Sequence, residues 1–428
     1  MKNSINKIKY ILITKDTILY ISVAIVMIGF ILNACLFTIS KSISINLYNI
    51  VDKVLLLIEG GIIFLAMINI FLNSIQSFKK NVIALSIFVI TVLFNYMLFV
   101  ENREILLTFI VKFFIYDVSI FLIVYNIKDK KKLLNNCIKT SKYMFILAFI
   151  YLFMDLKSNV YNVWLSQYFF ISGIFSLYDA CINKKIISNI ISLLSLVLLV
   201  YTGSRTYLLI YIIVLILTFT FFIIKKIKKL EYRKKIISIF IITIIILLLL
   251  LLCIFYKPIC KGIYDFFLDY NIDIRILRII SSEDFFTSDA RSNIIYSKGI
   301  QVIKDNFLFG VGIGADRRIM FEEFKKLSIL PINSDPRGYY AHNLIIEILI
   351  DFGIIFGTLI IISISYLIYK MCKNKENIGL VVSLICIGIL PLMLNGTLYD
   401  NMYFWMLIAI LISSIKFKKN SLLCRKEL

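Results

Sequence analysis

Residues 236–256 read IISIFIITIIILLLLLLCIFY, an uncharged run with Lys234 and Lys235 before it and Lys257 after it. About twenty apolar residues are what a helix needs to cross the hydrocarbon core, where every backbone group must bond internally. The whole chain follows suit. Its 428 residues are 60% hydrophobic and 17% charged, with a mean hydropathy of +0.91, whereas soluble domains carry about 25% charged residues. Four prolines and sixteen glycines leave no polar linkers that would divide it into soluble domains. The composition predicts an all-α polytopic integral membrane protein.

Working outward from that run, hydropathy predicts twelve spans: 18–39, 54–73, 82–100, 105–125, 143–154, 161–179, 186–201, 206–224, 236–256, 342–369, 378–394 and 401–415. The fifth and seventh are short, so one is re-entrant or begins deeper in its loop. The first is long enough, and lacks a small-residue cleavage site, to be a retained span rather than a signal peptide. Lys and Arg accumulate in cytoplasmic loops. The alternate segments from the N-terminus to 416–428 hold 29 of the 47 basic residues against five acids, while the opposite loops hold 17 basic and 16 acidic residues. Both termini are therefore expected in the cytoplasm. The formal charge of +21 is topological, and a nucleic-acid partner is not needed to explain it. The eight cysteines are scattered, with no C-x-x-C pair and no histidine at ligand spacing, which indicates neither a zinc site nor a disulfide framework.

The expected organisation is spans one to nine in 1–256, one large outer loop in 257–341, and spans ten to twelve with a cytoplasmic tail in 342–428. A loop of that length is usually functional, and short helices over the membrane face are expected in it. Of the 29 cytoplasmic basic residues 27 are lysines, whereas eight of the 17 outer ones are arginines: Arg103, Arg205, Arg275, Arg278, Arg291, Arg317, Arg318 and Arg337. The guanidinium fork grips phosphate oxygens bidentately. Pairing with the eleven acids of the loop accounts for most loop arginines. Arg205 differs, because its segment Thr202-Gly203-Ser204-Arg205-Thr206 contains no acid.

The single histidine, His342, stands where the long loop re-enters the membrane. A lone histidine is more often structural, yet this side chain is the one whose ordinary pKa suits proton transfer near neutrality. Phe309-Gly310-Val311-Gly312-Ile313-Gly314 has the look of a phosphate loop but lacks the strand–turn–helix setting and spacing of a dinucleotide fingerprint. A tight turn bringing backbone close to a ligand or helix is the sounder reading. Gly353 and Gly357, four apart, fit close helix packing. Glu347 and Asp351 share a face of the tenth span, where acids are candidates for function or for orienting the helix. Lys112 and Asp117 in the fourth span are five apart, off a common helical face, and carry no assigned chemistry.

Thr202-Gly203-Ser204-Arg205-Thr206 opening a span, Asp289-Ala290-Arg291, Phe309-Gly310-Val311-Gly312, and His342-Asn343 followed by Glu347, Asp351, Gly353 and Gly357 together resemble the O-antigen ligase / O-antigen polymerase superfamily. The likeness covers about residues 200–360. It implies a helical membrane glycosyltransferase of the lipid-carrier-dependent type, acting on a glycan linked through diphosphate to undecaprenol. The reaction is expected to be inverting and metal-independent, with no cofactor. By the same resemblance Arg205 and Arg291 bind the diphosphate and His342 activates the acceptor hydroxyl. Ser204, Gly310, Gly312, Asn343, Glu347 and Asp351 support them. The site is expected at the outer face of the cytoplasmic membrane, with a flippase and a chain-length regulator of the same pathway as candidate partners.

Polymerases of this kind diverge widely in sequence, and outside the motifs this chain does too, which favours a polymerase over a ligase transferring the finished glycan to lipid A–core or another surface acceptor. A transporter of lipid-linked oligosaccharide is a remote alternative. Transporters show internal repeats and midplane polar residues, whereas here there is no repeat and the candidates gather at one boundary.

Overall fold

The fold is that of a computed structural model, which describes residues 17–29, 31–36, 38, 45–72, 75–154, 163–227, 256–270, 277–278, 281, 291–327, 336–374 and 377–424. Among these every regular element is a helix. In chain order they are α1 (Thr17–Gly29), α2 (Ile45–Leu72), α3 (Ile75–Leu98), α4 (Val100–Asn126), α5 (Lys130–Met154), α6 (Val163–Asn183), α7 (Ile186–Thr202) and α8 (Arg205–Ile227). There follow α9 (Tyr256–Asp269), α10 (Ser297–Asp305), α11 (Ala315–Lys326), α12 (Leu344–Asn374), α13 (Ile378–Met393) and α14 (Met402–Cys424). Six are long and apolar enough to cross a membrane: Lys53–Leu72, Phe78–Leu98, Val100–Asn126, Lys130–Met154, Arg205–Phe222 and Leu344–Lys373. Shorter apolar helices occupy Thr17–Gly29, Ile186–Thr202, Ile378–Met393 and Met402–Ser414. The 236–256 run up to its last residue, Arg275, Asp289 and Ala290 lie outside the described residues.

The fifth predicted span, 143–154, begins deeper in its loop, one of the two outcomes that the short fifth and seventh spans left open. Its helix begins at Lys130, because the basic stretch from Lys130 to Lys142 continues the helix rather than forming a loop. Long cationic side chains are compatible with a helix end that emerges from lipid. Lys142 stays paired, its Nζ lying 2.7 Å from an Asp179 carboxylate oxygen on α6.

Three helices form a tightly joined unit around α6. Gly173 has no side chain to hold off α8, and a Cβ there would meet the Tyr211 ring at 2.7 Å. Tyr211 in turn donates its hydroxyl to the Ser192 carbonyl of α7 at 2.9 Å. A small residue admitting a neighbouring helix, with a buried polar tie across it, is how helices associate in lipid where apolar contact alone gives no preference. The α7–α8 corner is equally determined. Gly203 adopts φ 71°, ψ 21° and ends α7 with its N–H on the Leu199 carbonyl, a left-handed cap that glycine makes without strain. Helix α8 then starts at once, so Arg205 is its first residue.

Two irregular features shape the other half. In α4, residues Phe113–Val118 form a π-turn. Between α13 and α14, residues 394–401 form a turn that sits inside the bundle. Tyr399 packs on Phe109 and Phe113, with ring centroids at 5.2 and 5.7 Å, and Trp405 donates its indole N–H to the Leu398 carbonyl at 2.9 Å. Asp400 meets Lys112, which lies about 18 Å along α4 from Val100 at 1.5 Å per residue. The 394–401 turn therefore reaches well along α4.

Candidate functional site

The residues before α12 are held from both sides. Asn343 caps the helix, its Oδ1 accepting the N–H groups of Ile345 and Ile346 at 3.0 and 3.2 Å, which satisfies donors left open at a helix start. Its Nδ2 donates to the Met393 carbonyl at 3.1 Å. On the other side the Ala341 N–H donates to Asp316 Oδ2 at 3.0 Å. His342, between these anchors, has φ 52°, the left-handed region that a non-glycine residue occupies at a cost. Its ring lies 4.1 Å from that of Tyr340, centroid to centroid. A strained residue with both neighbours pinned is fixed by its surroundings rather than by its own preference.

Asp316 is fully buried. Burial pushes its carboxyl up, with the Arg317 charge pulling the other way. Because the carboxyl is held toward its neutral form, an amide is a close substitute. Asp316→Asn keeps an acceptor for the Ala341 N–H and is expected to leave kcat within a few-fold of wild type. Asp316→Ala strands that buried N–H, at about 1–3 kcal/mol, and lowers kcat by releasing the segment that carries His342. Thermal midpoint and initial transfer rate on the two variants check this, and equal behaviour of Asn and Ala would contradict it.

Next to Asp316, Arg317 is the largest fully buried side chain among the described residues. Its guanidinium lies over the Phe109 ring at 4.3 Å, and its Nη2 is 3.4 Å from Thr397 Oγ1 and from Asp400 Oδ2. Asp400 Oδ1 stands 3.1 Å from Lys112 Nζ. The expectation that loop arginines pair with loop acids does not hold for Arg317, whose partner comes from the 394–401 turn. Arg318 fits the expectation in part, pairing with Glu322 and also with Glu101 from α4.

Glu347 and Asp351 also face this turn. Glu347 accepts from the Thr397 hydroxyl and from the Leu398 N–H at 2.9 Å. Asp351 Oδ2 accepts from Tyr399 OH at 2.7 Å. The two acids therefore fasten the turn to α12, and through it the Arg317–Asp400 pair.

The glycine motif has a bracing role. Gly310, Gly312 and Gly314 all have positive φ, of 71, 89 and 80°. The Val311 and Gly312 N–H groups donate to the Ile350 and Asp351 carbonyls at 2.8 and 3.1 Å, and Ile354 N–H donates to the Phe307 carbonyl at 2.8 Å. This backbone pairing is possible because α12 is interrupted at Gly353, with φ 68° and ψ −177°. The reading of Gly353 as a helix-packing glycine is corrected accordingly: it breaks the helix, and the 307–312 backbone takes up the bonds that the break releases. Asn95 and Asn102 complete the brace, accepting from Ile313 N–H at 2.8 Å and donating to the Val311 carbonyl at 2.7 Å.

The sequence expectation for Lys112 and Asp117 is also corrected. In an α-helix positions five apart point about 140° away from each other. The Phe113–Val118 π-turn inserts the extra residue, widening the turn to i→i+5 spacing, and both side chains line one cavity of about 340 Å³ together with Asp400.

Of the residues expected to bind diphosphate, Arg205 opens α8, which packs against the 391–393 turn. That same turn receives the Asn343 amide, so the helix bearing Arg205 and the segment bearing His342 meet on one element. Ser204, before Arg205, is buried and its hydroxyl has no hydrogen-bond partner among the described residues. Arg291 opens the π-turn Arg291–Tyr296 that leads into α10, and α10 packs on α12. Sequence reasoning missed Asp316, Thr397, Tyr399 and Asp400 altogether, and placed Arg317 only among the outer arginines.

With this geometry in place, the comparisons bear on it directly. Residues 190–362 match the family model described as O-antigen ligase, a segment that contains Arg205, Arg291, the glycine brace, His342, Glu347 and Asp351. No curated protein matches the chain.

Proposed function

We propose that this membrane protein, a member of the O-antigen ligase / O-antigen polymerase superfamily through residues 190–362, is a polysaccharide polymerase. It transfers a glycan from undecaprenyl diphosphate to the next lipid-linked repeat unit at the outer face of the cytoplasmic membrane. The family match over the stretch that holds His342 and both candidate arginines carries the glycan-transfer part of this reading, and the choice of a polymerase follows the divergence of the sequence outside the motifs.

The chemistry follows from the residue types. The acceptor hydroxyl oxygen bonds to the anomeric carbon from the face opposite the diphosphate, and the anomeric carbon–oxygen bond to the diphosphate breaks, inverting the centre. His342 takes the hydroxyl proton as the new bond forms, a contribution of roughly 10²–10⁴-fold for a positioned base. Undecaprenyl diphosphate leaves with the bonding pair and more negative charge than it carried in the substrate. Arg205 and Arg291 meet that charge with guanidinium forks that stay protonated. Arg205→Ala is expected to lower kcat about 10²–10³-fold, the scale of losing one preorganised donor to a developing anion. Arg205→Lys, which keeps the charge but not the fork, recovers part of the rate. Equal rates for alanine and lysine would argue that Arg205 is not at the diphosphate.

A ligase remains the second reading, favoured by the description of the matching family. Purified protein incubated with one lipid-linked repeat unit and no other acceptor separates the two. A ladder of lengthening products is expected. Products that form only after lipid A–core is added would make the protein a ligase.

A further inference from the structure

The cavity of about 340 Å³ beside Lys112 and Asp117 is bounded by Ile31 and Ala34, α4, α5, α6 and the start of α14. Asp400 joins it to Arg317, since one carboxylate oxygen of Asp400 meets Lys112 and the other meets Arg317. Its volume sits at the low end of the roughly 300–1,000 Å³ of small-molecule sites.

The lining defines the ligand by exclusion. A prenyl or acyl chain would leave the charges of Lys112, Asp117 and Asp400 facing hydrocarbon, which is costly. A phosphate or other anion would face two carboxylates against one lysine. Tyr403, which lines the cavity and is 2% exposed, has a buried hydroxyl with no hydrogen-bond partner among the described residues. A buried polar atom in that state is rare unless something else satisfies it. Gln167 adds an amide, and the rings of Trp164, Tyr151 and Tyr168 supply flat apolar faces. Planar hydrogen-bonding groups beside aromatic faces suit a ligand with hydroxyls around its edge and C–H bonds on its flats.

We infer that this cavity is a binding subsite for an uncharged sugar residue of the glycan, one that does not itself react at His342. The inference rests on the glycan-transfer reading for the sugar's source, while the binding itself does not require transfer. His342 is not among the residues that line the cavity, which fits the role, because contacts to non-reacting parts of a substrate hold the reacting parts in place.

The chain has two tryptophans, and only Trp164 lines the cavity. It is two-thirds exposed, whereas Trp405 is packed among Phe88, Phe113 and Phe121. The test titrates full-length protein in lipid nanodiscs with glucose, galactose, N-acetylglucosamine, N-acetylgalactosamine and rhamnose, and with disaccharides built from them, reading tryptophan emission. At least one neutral sugar is expected to change the emission saturably, with glucuronic acid giving no response. Trp164→Phe abolishes the change, and Tyr403→Phe or Asp117→Asn weakens binding about threefold to tenfold, the scale of one hydrogen bond. In a transfer assay Gln167→Ala raises KM by a similar factor with kcat little altered, the pattern of lost uniform binding. Normal transfer with no saturable sugar response and an unchanged KM for Gln167→Ala would overturn the subsite and leave the enzyme reading intact. Sugar binding that depends on Trp164 and Tyr403 in a protein that transfers nothing would overturn the enzyme reading and keep the subsite.

Discussion

His342→Asn is expected to reduce kcat for glycan transfer about 10²–10⁴-fold while leaving the thermal midpoint close to wild type. The first figure is the contribution of a positioned general base. The second follows from the backbone. His342 has φ 52°, and asparagine enters the left-handed region more readily than other non-glycine residues, so the variant keeps the segment's shape while losing the ring nitrogen that accepts a proton. His342→Ala is expected to lose the same activity and some stability as well, because alanine fits that backbone less well. Initial rates of lipid-linked substrate consumption, with folded protein quantified by its melting transition, separate the two effects. Full activity in the asparagine variant would remove His342 from the chemistry.

Gly353→Ala is expected to destabilise the protein by about 3–5 kcal/mol, combining a backbone conformation nearly confined to glycine with overpacking. At φ 68°, ψ −177°, a side chain at 353 would lie against the Leu308 carbonyl and 2.5 Å from the Gly310 nitrogen. Both neighbours are backbone and cannot rotate away. The strand-like bonding of residues 307–312 to the break in α12 would open, and with it the support beneath Asp351. Such a variant should express poorly or melt far below wild type. Gly357→Ala, whose new Cβ would meet the Leu349 side chain at 3.0 Å and the Ile348 carbonyl at 3.2 Å, is expected to be milder. A Gly353→Ala protein with an unchanged melting transition would mean that the break in α12 is not required.

Among the described residues hydropathy alone located the helices, six of them long and apolar enough to cross a membrane, because a membrane forces each apolar run of sufficient length to be a helix. It failed where the local signal was ambiguous. Lys130 to Lys142 looks like a loop by charge, yet helix α5 begins there, since lysines at a helix end tolerate either setting. The Phe113–Val118 π-turn has no composition signature, so the shared face of Lys112 and Asp117 was invisible to a 3.6-residue period. The 394–401 segment reads as an ordinary short connection. Whether Thr397, Tyr399 and Asp400 face water or the bundle depends on how deep the turn sits, which only tertiary packing decides. The one available hint was that the apolar stretches on either side, 378–394 and 401–415, are short. Arg317 was hidden for a related reason: in a loop with many acids, its partner came from eighty-three positions away. The candidates His342, Asn343, Glu347 and Asp351 were legible because unusual residue types at a span boundary stand out against so apolar a background.

A cryo-electron microscopy structure of the protein in nanodiscs with undecaprenyl diphosphate, the expected leaving group, tests the central claim most directly. The account predicts the diphosphate within hydrogen-bond reach of the Arg205 and Arg291 guanidiniums, the prenyl chain running into lipid, and His342 facing the oxygen that had carried the sugar. A diphosphate bound away from both arginines, or a His342 ring outside the same cavity, would contradict it.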